Sequence, residues 1–289
     1  MFKFRKLTLR VSEEAKSLVS DFLLGLDAMG VAEDVVEGKG FDVSAYFPKE
    51  MDLNPVIVNL RNYINFLKST LPGIRVGAIK IEEIDRSSWE VWKNELKTVR
   101  ASGRVVIRPP WEEYQPKGNE IVIEINPSMA FGTGHHETTR LCIQFMEDVF
   151  ENVKVRNVLD VGCGSGILAI SAVKFGVDEA VGLDIDTIAV QEAKSNSERN
   201  SVSHKIKLFC GYLWGVKGKF DFIVANISVE AILLMKKELK SRLEDKGKLL
   251  VSGIPYTRRD EAASGLEGAG FVLERGLRDG EWIALLLKH

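Results

Sequence analysis

A chain of 289 residues can form one large domain or two modest ones, and 45% hydrophobic with 28% charged content is ordinary for a globular protein. Its formal net charge of -2 gives no overall basic footprint of the kind a dedicated nucleic-acid binder carries. Cys142, Cys163 and Cys210 are scattered and form no C-x-x-C pair, which argues against a disulfide framework or a zinc site; the basic start has no signal-peptide core, no apolar run approaches the roughly 20 residues of a membrane span, and a cytoplasmic protein is expected.

The first part of the chain reads β-α-β-β-α-β. Leu7, Leu9 and Val11 alternate as in a half-buried strand. Ser12 is placed to cap a helix that opens with Glu13 and Glu14, carries Ala15, Leu18, Val19, Phe22, Leu23 and Leu26 as one apolar stripe, and stops at Gly30. Strands are predicted over Val31 to Val36 and Phe41 to Phe47, joined at Gly38-Lys39-Gly40. Asn54-Pro55 starts a second helix burying Ile57, Leu60, Tyr63, Ile64 and Leu67, and after Pro72-Gly73 a strand is predicted over Ile74 to Ile84. This order is that of an α+β ferredoxin-like sandwich, which hosts many functions and proves none. Ser87-Ser-Trp-Glu90 has capping-box spacing and predicts a connecting helix with Trp89 and Trp92 as packing residues; short strands follow near Val105 and from Ile121 to Ile125.

From about Arg156 the chain alternates strand and helix: strands at Val158, Ala180, Lys205, Phe220 and Lys248, with helices from Ile167, Thr187, Val229 and Arg258 between them. Phe271 to Glu274 and Trp282 to Leu287 close it as a hairpin. That alternation implies a mainly parallel sheet covered on both faces, with one antiparallel strand at the end.

Asp160-Val-Gly-Cys-Gly-Ser-Gly166 lies at the end of the first of these strands, just before a helix, where an open α/β sheet binds its ligand. Gly162, Gly164 and Gly166 are spaced more tightly than the dinucleotide fingerprint G-x-G-x-x-G. Asp184 ends the next strand and is placed to accept hydrogen bonds from two vicinal ribose hydroxyls, while Asp186, just before Thr187, is the expected cap of the following helix. Asp160 either orients the loop or faces the cofactor. Asn226 ends the fourth strand, where amine-directed methyltransferases commonly place an Asn or Asp near the departing methyl, although it lacks the usual prolines after it. Together these point to S-adenosyl-L-methionine as cofactor. The pair His135-His136 with Glu137 has no third ligand at metal spacing, so no metal is expected.

With these residues in place, the chain resembles the PrmA family, which methylates the eleventh protein of the large ribosomal subunit. The likeness is carried by Asn126-Pro-Ser-Met-Ala-Phe-Gly-Thr-Gly-His-His-Glu-Thr-Thr139, the glycine segment Asp160 to Ala169, Gly182-Leu-Asp-Ile-Asp186, Ala225-Asn-Ile227 and Ser252-Gly-Ile254, with Trp89, Trp92 and Pro110-Trp111 as further matches. The resemblance implies a Rossmann-like class I methyltransferase domain with a seven-stranded mixed sheet. The layout expected is a ferredoxin-like substrate-recognition domain over 1–86, a connecting helix and strands over 87–125, and the methyltransferase domain over 126–289. Family cofactor contacts fall on Thr139, Gly162, Asp184 and Asn226; Phe131, Gly132 and Thr133 belong to a loop read as a lid over the methionine end, and His136 to the substrate side of that loop. Departures at His135, Glu137 and Ser228 to Glu230 border the presumed target pocket. The activity implied is methylation of lysine and N-terminal amines of the ribosomal protein, free or in the subunit, leaving S-adenosyl-L-homocysteine. Methylation of another protein, a nucleic acid or a small molecule is the alternative, and a non-catalytic cofactor-binding module is a third reading.

Overall fold

In the computed structural model, residues 4–24, 26, 28, 30–36, 40–71, 73–84, 97–126, 134 and 136–289 are described. The chain divides into two units, residues 1–96 and 97–289.

The first unit is built from β1 (Phe4–Val11), α1 (Glu13–Leu24), β2 (Gly30–Val36), β3 (Gly40–Pro48), α2 (Asn54–Thr70) and β4 (Lys80–Ile84). Its sheet has the order β2-β3-β1-β4 with every neighbouring pair antiparallel, the ferredoxin-like arrangement. Leu7, Leu9 and Val11 alternate into a core shared with Ala15, Val19 and Leu23 of α1 and Leu60 and Ile64 of α2, because successive strand residues point to opposite faces. On α2 the buried residues are Val56, Leu60, Ile64 and Leu67, so Val56 rather than Ile57 leads the stripe; Tyr63 stacks on Phe22 with ring centroids 3.9 Å apart. The strand predicted from Ile74 is interrupted. Val76 forms a lone bridge to Val11, Gly77 N–H donates to the Arg10 carbonyl, and regular pairing with β1 runs only from Lys80. The Ser12 hydroxyl accepts the Arg75 N–H at 3.3 Å, tying this return segment to the end of β1. The expected Ser87 to Glu90 helix start, Trp89 and Trp92 lie outside the described residues.

The second unit opens with a small sheet of β5 (Val99–Arg100), β6 (Val105–Arg108) and β7 (Ile121–Glu124). It continues with α3 (Glu137–Asn152), β8 (Asn157–Val161), α4 (Ile167–Lys174), β9 (Glu179–Asp184), α5 (Thr187–Arg199), β10 (Ile206–Cys210) and β11 (Phe220–Asn226). Then come α6 (Val229–Ser241), β12 (Leu243–Pro255), α7 (Arg259–Glu267), β13 (Val272–Asp279) and β14 (Trp282–Lys288). The large sheet has seven strands in the order β10-β9-β8-β11-β12-β14-β13, with only β14 running against the rest. Both faces are covered, which explains why the central strands β8 and β11 carry consecutive buried residues rather than a simple in-out alternation. Along β11, Phe222 and Val224 enter one core with α3 and α4, while Ile223 and Ala225 enter the other with α6 and α7.

The strand order decides where a ligand can sit. From the central β8 the chain first moves outward through β9 and β10, then returns to the other side of β8 with β11. The loops leaving β8 and β11 therefore part in opposite directions and open a crevice at the carboxyl ends of the strands. A separate surface groove, lined among others by Asn157, Lys207, Lys219 and Phe220, opens at the amino ends and contains none of the predicted site residues.

Candidate functional site

The glycine loop turns between β8 and α4 in a conformation that L side chains rarely adopt. Gly162, Gly164 and Gly166 have φ of 73°, 51° and 79°. Space excludes a side chain as well: a Cβ on Gly162 would overlap Ile227, and one on Gly166 would sit 2.9 Å from the Ala193 Cβ. The Gly162 and Cys163 N–H groups both donate to the Leu183 carbonyl at 2.9 Å, so the loop is stitched to the end of β9.

Asp160 and Asp184 hold this loop from two sides. The Asp160 carboxyl is fully buried, and its Oδ2 accepts the Ala169 N–H at 3.0 Å, spanning the loop to the first turn of α4. Its Oδ1 is buried with no partner. Burial pushes the Asp160 pKa up to about 7, with help from the nearby Asp184 charge and against the Ala169 N–H. Of the two roles open from sequence, loop orientation is thus occupied by one oxygen, and the second oxygen remains unpaired. Asp184 Oδ2 accepts the Gly164 N–H at 2.9 Å and Oδ1 accepts the Asp186 N–H at 3.0 Å. Each carboxylate oxygen retains lone-pair capacity for a further donor. Asp186 caps α5 as expected, accepting the Ile188 N–H at 2.8 Å.

Across the crevice, Asn226 ends β11. Its Nδ2 donates to the Thr139 Oγ1 at 3.5 Å, and its Oδ1 is buried without a partner among the described residues. Thr139 is itself fully buried in the first turn of α3. A buried carbonyl oxygen with nothing to accept is costly, about 1–3 kcal/mol, unless something arrives to donate to it. His136 is the N-cap of α3: its Nδ1 accepts the Thr138 N–H at 3.3 Å and lies 2.8 Å from the Thr138 Oγ1. Burial lowers the His136 pKa, against the pull of the neighbouring Glu137 carboxylate. Cys142 and Cys163 are buried, and burial pushes both thiols up, so neither is a ready nucleophile.

Asn226, Thr139, Asp160, Gly162, Gly164, Gly166 and Asp184 therefore converge at one end of the sheet, around the ends of β8, β9 and β11. Phe131, Gly132, Thr133 and His135 lie outside the described residues. Two further residues emerge only from the structure. Asn196, 1% exposed on the inner face of α5, accepts the Asn126 N–H and donates to the Ser165 carbonyl, both at 3.0 Å. It thereby couples the glycine loop to the segment that leads toward α3. One turn on, Asn200 accepts the Glu124 N–H at 2.9 Å and donates to the Glu124 carbonyl at 2.6 Å, docking β7 on α5. The available signal was an Asn in line with Ala189 and Ala193 on an apolar helix face.

The donor set suits a sulfonium nucleoside with an amino-acid tail. It offers a carboxylate for ribose hydroxyls, a loop that no side chain could fill, and buried unpaired oxygens on both sides of the crevice.

Similarity to known proteins agrees with this geometry. Residues 3–289 match the family model described as ribosomal protein L11 methyltransferase (PrmA). The protein of that name from Caldanaerobacter subterraneus subsp. tengcongensis is 36% identical over 310 residues, covering 99% of both chains. The one from Thermoanaerobacter pseudethanolicus is 41% identical over 248 residues, covering 84% of this chain and 79% of its own. A crystal structure of ribosomal protein L11 methylase from Lactobacillus delbrueckii subsp. bulgaricus superposes with a TM-score of 0.62 at 36% identity, covering 67% of this chain and 100% of its own. With a matching fold and a family match over almost its full length, the chain belongs to the ribosomal protein L11 methyltransferase (PrmA) family and is an S-adenosylmethionine-dependent methyltransferase.

Proposed function

We propose that this protein methylates amines of ribosomal protein L11, its N-terminal α-amine and lysine ε-amines, with Asn226 as the residue that orients the amine. The observation that carries this is the buried Asn226 Oδ1 without a partner, fixed beside Thr139 at the end of β11. Relatives named for L11 methylation, with nearly full-length coverage, support the substrate. The expected site of action is the cytoplasm; among the described residues no helix is long and apolar enough to cross a membrane.

In this reading Asp184 accepts hydrogen bonds from the ribose hydroxyls, and the backbone of Gly162, Gly164 and Gly166 lets the cofactor approach closely. Asp160 holds the loop through Ala169, and its free oxygen faces the amino-acid end. Thr139 lines the same end, and His136 borders the incoming substrate. Bound S-adenosylmethionine supplies an electrophilic methyl on a positively charged sulfur.

The amine must arrive neutral, because a protonated nitrogen has no lone pair. Deprotonation at pH 7 costs about 4.6 kcal/mol for a lysine of ordinary pKa and about 1.4 kcal/mol for an α-amine near 8. Desolvation of the amine on entering the crevice would lower its pKa, and the Asn226 carbonyl accepts one amine N–H so that the lone pair is aimed at the methyl. When bound, the cofactor would give its methyl to that lone pair and keep the C–S electron pair on sulfur, and the resulting ammonium would lose its proton to water. The N-terminal unit, with its own core and none of the cofactor motifs, is the proposed recognition element for L11.

The direct test is incubation with isotopically labelled cofactor and ribosomal subunits lacking the modification, read by intact-protein mass spectrometry. Mass should appear on L11 in steps of one methyl. Label on RNA, on another protein, or nowhere would replace this reading with one of its alternatives.

A further inference from the structure

The first turn of α3 carries Arg140, a cation where the helix dipole disfavours one. Its guanidinium is held by two carboxylates, Glu137 at 3.5 Å within the same turn and Asp279 at 2.9 Å. Asp279 ends β13, at the tip of the hairpin that closes the chain. Because β13 runs with the parallel strands, this tip lies at their carboxyl ends, the end that carries the glycine loop and Asn226. A second contact joins the same two elements: the Trp282 ring, first in β14, meets the His136 ring edge-on with centroids 5.0 Å apart. The hairpin also reaches the far end of α3, where Arg275 pairs with Asp148 at 3.0 Å and lies over the Phe145 ring. The far pair is more open, with side chains 51% and 57% exposed against 22% and 41% for Arg140 and Asp279. Screening by water therefore leaves the near pair as the stronger tie.

What the near pair holds is the turn that contains Thr139, whose Oγ1 accepts the hydrogen bond from Asn226 Nδ2. That bond is long, at 3.5 Å, so a small shift of the turn breaks it and frees the amide to rotate. We propose that the Arg140–Asp279 ion pair, seated by the His136–Trp282 ring contact, is a positioning clamp through which the C-terminal hairpin fixes the first turn of α3 and so aims the Asn226 carbonyl at the amine. Arg140 and Asp279 act through Thr139 and Asn226 and need not touch substrate. The proposal rests on the amine-orienting role assigned to Asn226 above.

Single-turnover methyl transfer to L11 by the full chain, at saturating cofactor and substrate, tests it. Asp279→Asn keeps the shape and removes the charge; it should slow transfer about five-fold, the scale of a partly screened ion pair, while changing the cofactor KM less than the rate. Asp279→Glu should recover most of the rate. Arg275→Gln, which removes the far ion pair and the cation over the Phe145 ring, should leave the rate unchanged although it touches the same hairpin and helix. In an Asn226→Ala background, Asp279→Asn should cause no further slowing, because the group it aims is gone. A wild-type rate for Asp279→Asn, or a full additional loss in the Asn226→Ala background, overturns the clamp. A slow Asn226→Ala with a fast Asp279→Asn sinks the clamp alone, whereas a fast Asn226→Ala removes the amine-orienting role and the clamp with it.

Discussion

The two units solve the burial problem in opposite ways, and among the described residues only the second leaves buried polar groups with something still to bind. In the N-terminal unit one face of an antiparallel sheet is packed beneath two helices, its core is apolar, and the polar side chains near it are satisfied locally, as Ser12 is by Arg75 and Thr8 by Ser44. In the second unit both sheet faces are packed, and the strand ends carry buried polar atoms inward: Asp160 at β8 and Asn226 at β11, each with one oxygen unpaired. A fold tolerates such atoms where a ligand completes them. Difference in polar satisfaction, more than difference in fold, therefore separates the proposed chemical unit from the proposed recognition unit.

The most severe way to break that division is to separate the units. A fragment of residues 97–289 should bind cofactor within about two-fold of the full chain, because every described group around the glycine loop belongs to it. Its kcat/KM on intact L11 should fall by about a thousand-fold, or about 4 kcal/mol, since recognition of the substrate body is lost. Full activity of a folded fragment would reduce the N-terminal unit to a stabilising appendage.

Asn226→Ala should lower single-turnover transfer about a hundred-fold, typical of losing one oriented hydrogen-bond partner, with much less effect on cofactor affinity. A normal rate would leave Asn226 as an ordinary strand-end residue. Asp184→Ala should do the reverse and weaken cofactor binding by about 2–3 kcal/mol, the scale for a charged hydrogen-bond partner. Calorimetric titration with unchanged affinity would remove Asp184 from the site.

The smallest effect concerns Asp160. Its folded pKa is raised to about 7, so the native state holds a proton that the unfolded chain has released. The stabilisation this provides is complete below the unfolded carboxylate range and is lost as pH rises through about 7. Between pH 6 and pH 8 the cofactor-free protein should lose about 1 kcal/mol from this group, and Asp160→Asn should flatten that slope. Equal slopes in denaturant titrations of the two proteins would show that Asp160 titrates in its ordinary range.

Much of the architecture was legible because it is encoded locally. Leu7, Leu9 and Val11 declare a strand by alternation, Asp186 declares a helix start by its place before Thr187, and three glycines in five residues declare a turn that few other residues adopt. Return of the chain after Gly73 was read too simply as one strand, because a strand pattern says nothing about where a partner such as Arg10 draws the backbone into an irregular bridge. The helix start at Asn54 was legible, yet its first buried residue, Val56, is one position from the expected Ile57.

By itself the sequence determined which elements form, which strand ends carry Asp160, Asp184 and Asn226, and, through motif resemblance, the family. Only the tertiary structure decided which distant residues meet. Asn196 reaches Asn126 across 70 positions, Thr139 reaches Asn226 across 87, and Arg140 reaches Asp279 across 139. No local propensity encodes such pairs. They follow from the strand order, which sends β11 back beside β8 and turns the last hairpin so that its tip stands over the start of α3. Unpaired oxygens on Asp160 and Asn226 are likewise a property of the packed crevice, since a side chain is left without a partner only when everything around it has been placed.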